Sequence, residues 1–386
     1  MKRVNISKKV LLILIGAVSC SLLISCSGAD RSKSGKSGSR YETDTESAVK
    51  EDDEKKQESD ENHKNDESGK KADDYVASRD IFAMDTYMTV QAYGDSADEA
   101  VEQAIAEIER LDGMLSATDE ESEIYELNRN EGGIVGEDVS YLIERAKEMY
   151  ESTGGKFNIA IYPIVEKWGF ASGEYYVPTE DELKELLKNT DFSQIEYNKE
   201  EKKVTYDSDG MKIDLGGIAK GYTSARIMDI FKNLGVTSGI VNLGGNVQVL
   251  GTKPDGSDWK VAIQHPMDAN RYIGVLKTHD KAVITSGGYE RYFEEDGITY
   301  HHIIDPDTGY PADSGLISVT IVCADGTMAD CLSTSLFIMG KDKAIEYWKE
   351  HREEFDMILY TEDEELLVTE EIADKFASDF DMEIIK

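Results

Sequence analysis

The sequence predicts an α+β domain of mixed, largely antiparallel sheet flanked by helices. Three observations lead there. Apolar residues recur at helical spacing in several segments, among them Val101, Ala104, Ile105, Ile108 and Leu111. Other segments are short, β-branched and bounded by glycine, as in residues 316–323 between Gly315 and Gly326. The two kinds mix without strict βαβ alternation, which argues against a wholly parallel sheet. The globular part, about 310 residues from Tyr75 onward, suffices for one large domain or two tightly joined lobes.

Ahead of it, residues 1–26 carry Lys2, Arg3, Lys8 and Lys9 and then run apolar from Val10 to Ile24, the order of a secretory signal. A membrane span is the alternative, but Ser19, Cys20 and Ser21 interrupt the run and it is short for a bilayer. Leu23-Ile24-Ser25-Cys26 resembles a bacterial lipobox with Cys26 as the lipidated residue; Ala17-Val18-Ser19-Cys20 is a weaker match. Residues 27–74 are mostly Ser, Gly, Lys, Asp and Glu. Such a segment buries too little apolar surface to offset its ordering entropy and reads as a disordered tether. A calcium-binding acidic tail is the weaker alternative. The formal net charge is -36, much of it expected in this tether. It argues against nucleic acid as a partner, because phosphate contacts need Lys and Arg.

Within the domain, residues 81–93 read as one strand and 96–115 as a helix opened by a Ser96–Glu99 capping box. Residues 139–152 form a second amphipathic helix stopped by Gly154-Gly155, and Thr179 with Glu182 caps a short third. Residues 204–206 and 212–215 read as paired strands, and 218–234 as a helix ended by Gly235. Strands follow at 239–243 and 247–250 around a glycine pair, then at 259–264 and 273–276. A helix at 341–351 and strands at 357–360 and 366–368 complete the chain.

The chemistry concentrates in residues 301–340. A loop at 301–309 holds two imidazoles, Asp305, Asp307, Pro306 and Gly309, more polar chemistry than a turn needs. After the strand at 316–323, a helix from about Thr327 carries Asp330 and Thr334, spaced i,i+4 and therefore on one face. A carboxylate with a hydroxyl suits Mg²⁺ better than zinc. Taken alone, an ordinary polar first turn explains the spacing as well.

Asp214-Leu215-Gly216-Gly217-Ile218-Ala219-Lys220-Gly221 runs from a strand through glycines into a helix, with Lys220 in its first turn. The macrodipole disfavours a cation there unless an anion is bound. It is not a Walker A motif, since neither the spacing nor the following hydroxyl matches. Asn158, after Gly154-Gly155-Lys156-Phe157, either meets a ligand or caps the next turn. Asn242 to Asn246 reads as a glycine hairpin turn. Thr285-Ser286-Gly287-Gly288-Tyr289 reads as a flexible loop suited to phosphate or ribose, or as plain structure. Phe157, Trp168, Phe170 and Tyr289 either stack on a ligand ring or fill the core. Cys323 and Cys331 read as small buried hydrophobes, with a bridge the lesser alternative. No Ser/His/Asp order, Cys–His pair or HExxH occurs.

Taken in order, Met84-Asp85-Thr86, GGKFNIAIYPIVEKWGF (154–170), DLGGIAKGY (214–222), VNLGGN (241–246), TSGGYER (285–291), HHIIDPDTGYP (301–311) and ADCLSTSLFIMG (329–340) resemble the ApbE family, the FAD:protein FMN transferases, over about residues 81–340. The resemblance implies an ApbE-like, T-fold-related domain that takes FAD as substrate. FMN would pass to a Thr or Ser hydroxyl of an acceptor protein, with AMP released. It implies one or two Mg²⁺ ions at the FAD pyrophosphate: Asp330 and Thr334 match the metal-binding side chains, and Gly217 matches a position that gives its backbone carbonyl. Met84, Asn158, Lys220, Thr285, His302 and Ile304 match positions lining the FAD site. Two departures stand out: Asn158 where the family often has Asp, and Ala225 where Asp is common.

On this reading Lys220 adds a second positive charge. His302 is the expected general base because imidazole titrates near working pH, with Asp305 as the alternative. Water in place of the protein hydroxyl would make an FAD pyrophosphatase, and absence of chemistry a flavin-binding lipoprotein. The signal and Cys26 imply an extracytoplasmic enzyme, lipid-anchored to the bacterial cell membrane. Its acceptor would be a subunit of a membrane redox complex or another flavinylated extracytoplasmic protein.

Overall fold

The structure, a computed structural model, describes residues 75–386; the signal, Cys26 and the tether lie outside the described residues. Met84 and Asp85 both take positive φ, 48° and 59°. That turn folds the expected single strand into a hairpin of β1 (Val76–Ala83) and β2 (Thr86–Tyr93), paired in register along its whole length. Two left-handed residues in succession give a turn whose twist suits a hairpin, but no Asn or Gly marks it in the sequence.

Helix α1 (Ala97–Leu115) buries Ala100, Val101, Ala104, Ile108 and Leu111 as its periodicity requires; Ser96 precedes it without the expected side-chain cap. Then come α2 (Glu123–Arg129), β3 (Gly132–Ile134) and α3 (Glu137–Ser152), of which only α3 was foreseen. Helix α4 (Tyr162–Trp168) ends at left-handed Gly169, and α5 (Glu180–Leu186) has the expected Thr179–Glu182 capping box. Strands β4 (Ile195–Asn198) and β5 (Lys203–Tyr206) pair with each other and with β3. Residues 212–215 are not a strand, so the pairing expected there is absent.

Helix α6 (Gly216–Asn233) leads to β6 (Gly239–Leu243) and β7 (Asn246–Leu250), then to β8 (Trp259–His265) and β9 (Asp268–Thr278). Strand β10 (Ala282–Gly287) contains Thr285 and Ser286, which the sequence presented as a loop. The ribbon β11 (Tyr292–Glu295) and β12 (Ile298–His301) precedes β13 (Leu316–Cys323) and α7 (Gly326–Met339). The chain closes with α8 (Lys341–Glu350), β14 (Asp356–Thr361), β15 (Leu366–Thr369), α9 (Glu370–Ala373), β16 (Phe376–Ala377) and β17 (Met382–Ile385).

A nine-stranded sheet, β1-β2-β6-β7-β10-β13-β14-β15-β17, runs across the molecule in chain order. Every neighbouring pair is antiparallel except β15 with β17. Strand alternation sends Ala282, Ile284, Val319 and Ile321 into the core shared with α6 and α7. Val283 and Val322 point the other way, to a core built with Trp259, Ile263 and Leu276 of the β16-β9-β8 sheet. The fold is thus α+β, as expected. Cys323 and Cys331 are buried and unbridged; burial pushes the Cys323 thiol up to about 12.

The charge is not where the sequence suggested. Residues 1–74 hold 14 Lys and Arg against 15 Asp and Glu, so residues 75–386 hold the other 28 against 63, a net of -35. Residues 1–26 supply 4 of those 14 cations, so residues 27–74 hold 10 Lys and Arg against 15 Asp and Glu, a net of -5, and residues 75–386 carry most of the charge.

Candidate active site

Helices α6 and α7 pack so closely that no side chain fits between them at two points. A Cβ on Gly221 would lie 2.2 Å from the Gly326 carbonyl oxygen and 2.6 Å from Asp330 Cβ. This closeness lets the Gly221 N–H donate to Asp330 Oδ2 at 2.7 Å, while Asn246 Nδ2 at the start of β7 donates to Oδ1 at 3.0 Å. Both oxygens keep further lone pairs, since an ionised carboxylate offers about four acceptor sites. Gly221 is four residues along α6 from Gly217, so regular helical geometry sets the Gly217 carbonyl beside the N–H that meets Asp330. Burial raises the Asp330 carboxyl above its ordinary value, and the charge of Lys220 opposes that rise.

One turn along α7, Thr334 Oγ1 lies 3.3 Å from Ser286 Oγ on β10, which in turn lies 2.7 Å from Ser333 Oγ. Asp330 and Thr334 therefore do share a face, turned toward β7 and β10. The donors gathered here are a carboxylate, hydroxyls and a carbonyl, all hard oxygens that fit Mg²⁺. No cluster of three or more His, Cys, Asp or Glu is present among the described residues.

Lys220 makes no ion pair within 4.0 Å among the described residues and is the shared electrostatic neighbour of Asp330, Glu290 and His302. Helix α6 begins two residues earlier than expected, which puts Lys220 past the first turn. The helix is held by the Tyr222 hydroxyl, which donates to Asp138 of α3, and by Arg226, 3.3 Å from Glu107 of α1. Glu290 was not foreseen. Its side chain keeps access to water yet is walled by protein, which lifts its carboxyl to about 7 with Asp330 adding to the rise and Lys220 opposing it. Water entering the recess tempers that lift. The motif TSGGYER held the signal, but a single exposed-type Glu between Tyr and Arg has no pattern of its own.

The two imidazoles have different jobs. His301 Nδ1 accepts from Ile303 N at 3.2 Å, which leaves Nε2 to donate to the Ala312 carbonyl at 3.1 Å. Both its nitrogens are spent on the loop. His302 directs Nδ1 to the Arg291 carbonyl at 3.1 Å, so that nitrogen carries the proton and Nε2 is the free acceptor. The expectation that His302 keeps an ordinary imidazole pKa does not hold. Burial and the cations Lys220 and Arg291 push it down to about 3, and it stays neutral at working pH.

Asp305, the alternative base, is engaged by Lys156, whose Nζ lies 2.7 Å from both Asp305 and Asp307. It clasps the loop to the end of α3 rather than facing a proton donor. Asn158 is likewise committed: Oδ1 accepts from Ala160 N at 2.9 Å and Nδ2 donates to the Thr190 carbonyl at 2.8 Å. Of its two sequence-level readings, the cap is what the structure shows. Ile304 is buried with Ile164, Trp168 and Phe170, leaving only its backbone for a ligand. Phe157, Trp168 and Phe170 are core residues. Thr285 Oγ1 sits 2.8 Å from Thr320 Oγ1 across β10 and β13. Met84 anchors its N–H on Asp112 at 2.9 Å and rests its sulfur 3.9 Å from Thr223 of α6, beside the recess.

A cavity of about 670 Å³ opens at the far ends of β2, β7 and α6, between Tyr93–Ser96, Gly235–Ser238 and Gly251–Gly256. It contains none of the residues above, so chemistry and not cavity volume locates the site.

Hard oxygens on a helix–sheet seam, a lysine with no ion pair among the described residues and a neutral histidine are chemistry suited to an anionic, phosphate-bearing ligand. The ApbE family model matches residues 84–359. A FAD:protein FMN transferase of Klebsiella pneumoniae is 33% identical over 303 residues, 77% of this chain and 93% of that protein. One from Treponema pallidum is 34% identical over 288 residues, 69% of this chain and 80% of that protein. The crystal structure of the ApbE protein of Thermotoga maritima superposes with a TM-score of 0.74 at 32% identity, covering 78% of this chain and 99% of the other. The chain belongs to the ApbE family.

Proposed function

We propose that the chain is a FAD:protein FMN transferase that uses Mg²⁺, and the observation that carries this is Asp330. It is a buried carboxylate held by two donors, on one face with Thr334, and set against the free charge of Lys220. Asp330, Thr334 and the Gly217 carbonyl would hold the ion. Its chemistry there is to neutralise charge on the pyrophosphate oxygens. Lys220 draws the pyrophosphate into the recess and adds positive charge beside it. The acceptor hydroxyl oxygen bonds to the FMN-side phosphorus, the bridging P–O bond breaks, and AMP leaves with the bridging oxygen.

The hydroxyl proton goes to His302 Nε2. In the free recess it is a weak base because burial, and after it the cations Lys220 and Arg291, depress it; it regains part of its basicity once the anionic pyrophosphate offsets the cations. Arg291 holds the ring through its carbonyl, and Lys156 holds the loop through Asp305 and Asp307. Met84, Thr285 and the backbone of Ile304 line the flavin nucleotide. Residues 1–26 fit export with lipid attachment at Cys26, and the tether gives the domain reach at the cell membrane toward an acceptor in a membrane redox complex. Among the described residues no helix is long and apolar enough to cross a membrane.

The test is AMP release from FAD by the full chain, titrated with Mg²⁺. The expected result is a saturable Mg²⁺ dependence that Asp330→Ala abolishes. FAD bound but left intact in excess Mg²⁺ and acceptor would reduce the protein to a flavin binder.

A further inference from the structure

Strand β1 is the terminal strand of the nine-stranded sheet, and its other edge meets no strand among the described residues. Exposed edges are normally blunted by bulges, prolines, charged side chains or short length. This one has eight residues in unbroken register, no proline and no bulge, and of the charged devices only Arg79 and Asp80, a template of about 26 Å. Its outward face is bare as well. Phe82 and Tyr87, 60% and 68% exposed, stand opposite each other at the end of the hairpin with ring centroids 5.1 Å apart.

That end borders the recess. The next residues are Met84, which touches α6, and Asp85, 3.9 Å from Arg291 at the head of the β11–β12 ribbon. Asp80 and Asp85 are exposed along this hairpin, with Arg79 beside Asp80, while Glu294, Glu295 and Asp296 are exposed toward the turn end of the β11–β12 ribbon.

Resting on the transferase reading above, we propose that an extended, Lys- or Arg-bearing segment of the acceptor protein adds as a strand to the free edge of β1, anchored on Phe82 and Tyr87, and so delivers its hydroxyl past the Met84–Asp85 turn. Three features converge on that occupant. The edge supplies backbone donors and acceptors for strand addition. The aromatic pair supplies a side-chain anchor of the kind that dominates interfaces. The net charge of -35 on the domain steers a cationic segment. A protein acceptor must cover the mouth of the recess, and this surface is continuous with that mouth.

The experiment uses the full chain, saturating FAD, and as probe the FMN-accepting protein of the Klebsiella pneumoniae transferase. Phe82→Ala with Tyr87→Ala removes exposed rings only, so the fold is kept. The expected kcat/KM for the acceptor falls at least about tenfold, while the KM for FAD stays within about twofold. Hydrogen exchange at residues 76–83 slows when acceptor is added, and raising salt raises the acceptor KM. Equal acceptor kinetics in variant and parent, or unchanged exchange at β1, overturns the proposal. So does a parallel rise in the FAD KM, which would put the pair in the flavin site. A dimer that the double variant dissociates, or β1 protection that vanishes on deleting residues 27–74, overturns it by naming another occupant. An unmodified chain that leaves the acceptor unlabelled counts against the transferase reading itself; labelling that the variant retains in full counts against the docking alone.

Discussion

Gly221→Ala is the most informative single perturbation, because it adds one methyl group where α6 and α7 meet. The new Cβ would stand 2.2 Å from the Gly326 oxygen, and restoring a 3.4 Å contact requires a retreat of about 1.2 Å. Close-packed interiors do not absorb such a shift locally, so the helices part and the Gly221 N–H leaves Asp330. Overpacking costs about 1–3 kcal/mol, and the hydrogen bond to a charged group about 1.5–3 kcal/mol. Alanine's better helix propensity returns about 1 kcal/mol, leaving a net loss of about 1.5–5 kcal/mol. Gly217→Ala is the control: its Cβ meets only the Phe157 ring, Cε2 at 3.3 Å and Cζ at 3.9 Å, and the propensity gain of up to about 1 kcal/mol roughly offsets that contact. Urea denaturation at constant m reads the stability, and Mg²⁺-dependent AMP release reads the site. A Gly221→Ala protein as stable and active as its parent would refute the account of how Asp330 is placed.

Further consequences follow from the other site residues. Asp330→Ala should lower Mg²⁺-dependent transfer by more than about a hundredfold with the fold retained, as circular dichroism would show; parental rates would remove Asp330 from the metal site. Lys156→Met unclasps Asp305 and Asp307, so kcat should fall about tenfold through a loosened loop with FAD affinity nearly unchanged and partial rescue by Lys156→Arg. Loss of affinity without loss of kcat would contradict that role. Glu290 gains its negative charge as pH rises through about 7, so affinity for anionic FAD should weaken across that range, and Glu290→Gln should flatten the profile at the tighter limit. An unchanged pH profile in the variant would place Glu290 away from the ligand. His302, held near 3, should show no imidazole titration by NMR between pH 5 and 8 in the FAD-free protein; a midpoint near 6.5 would restore the ordinary base.

Much of the architecture was legible because it is local. The periodicity of α1 and α3, the Thr179–Glu182 capping box and the β-branched run of β13 all follow from neighbours in sequence. What escaped depends on contacts far along the chain. The Met84–Asp85 turn has no Asn or Gly to mark it; it is held by Asp112, 28 residues away from Met84. Thr285 and Ser286 read as loop because glycines follow, yet pairing with β13 makes them a central strand. The shared face of Asp330 and Thr334 was visible from spacing, whereas the donors that fix it, Gly221 and Asn246, come from 109 and 84 residues away. The pKa of His302 could not be read at all, since burial and Lys220 set it and neither is written near residue 302.

The most direct test of the central claim is a stoichiometry. The full chain is incubated with FAD, Mg²⁺ and an acceptor protein; AMP is counted, and the acceptor's intact mass and its in-gel flavin fluorescence after denaturation are measured. The account predicts one AMP for each acceptor that gains one FMN, with no free FMN. AMP matched by free FMN and an acceptor of unchanged mass would contradict it and make the protein a pyrophosphatase.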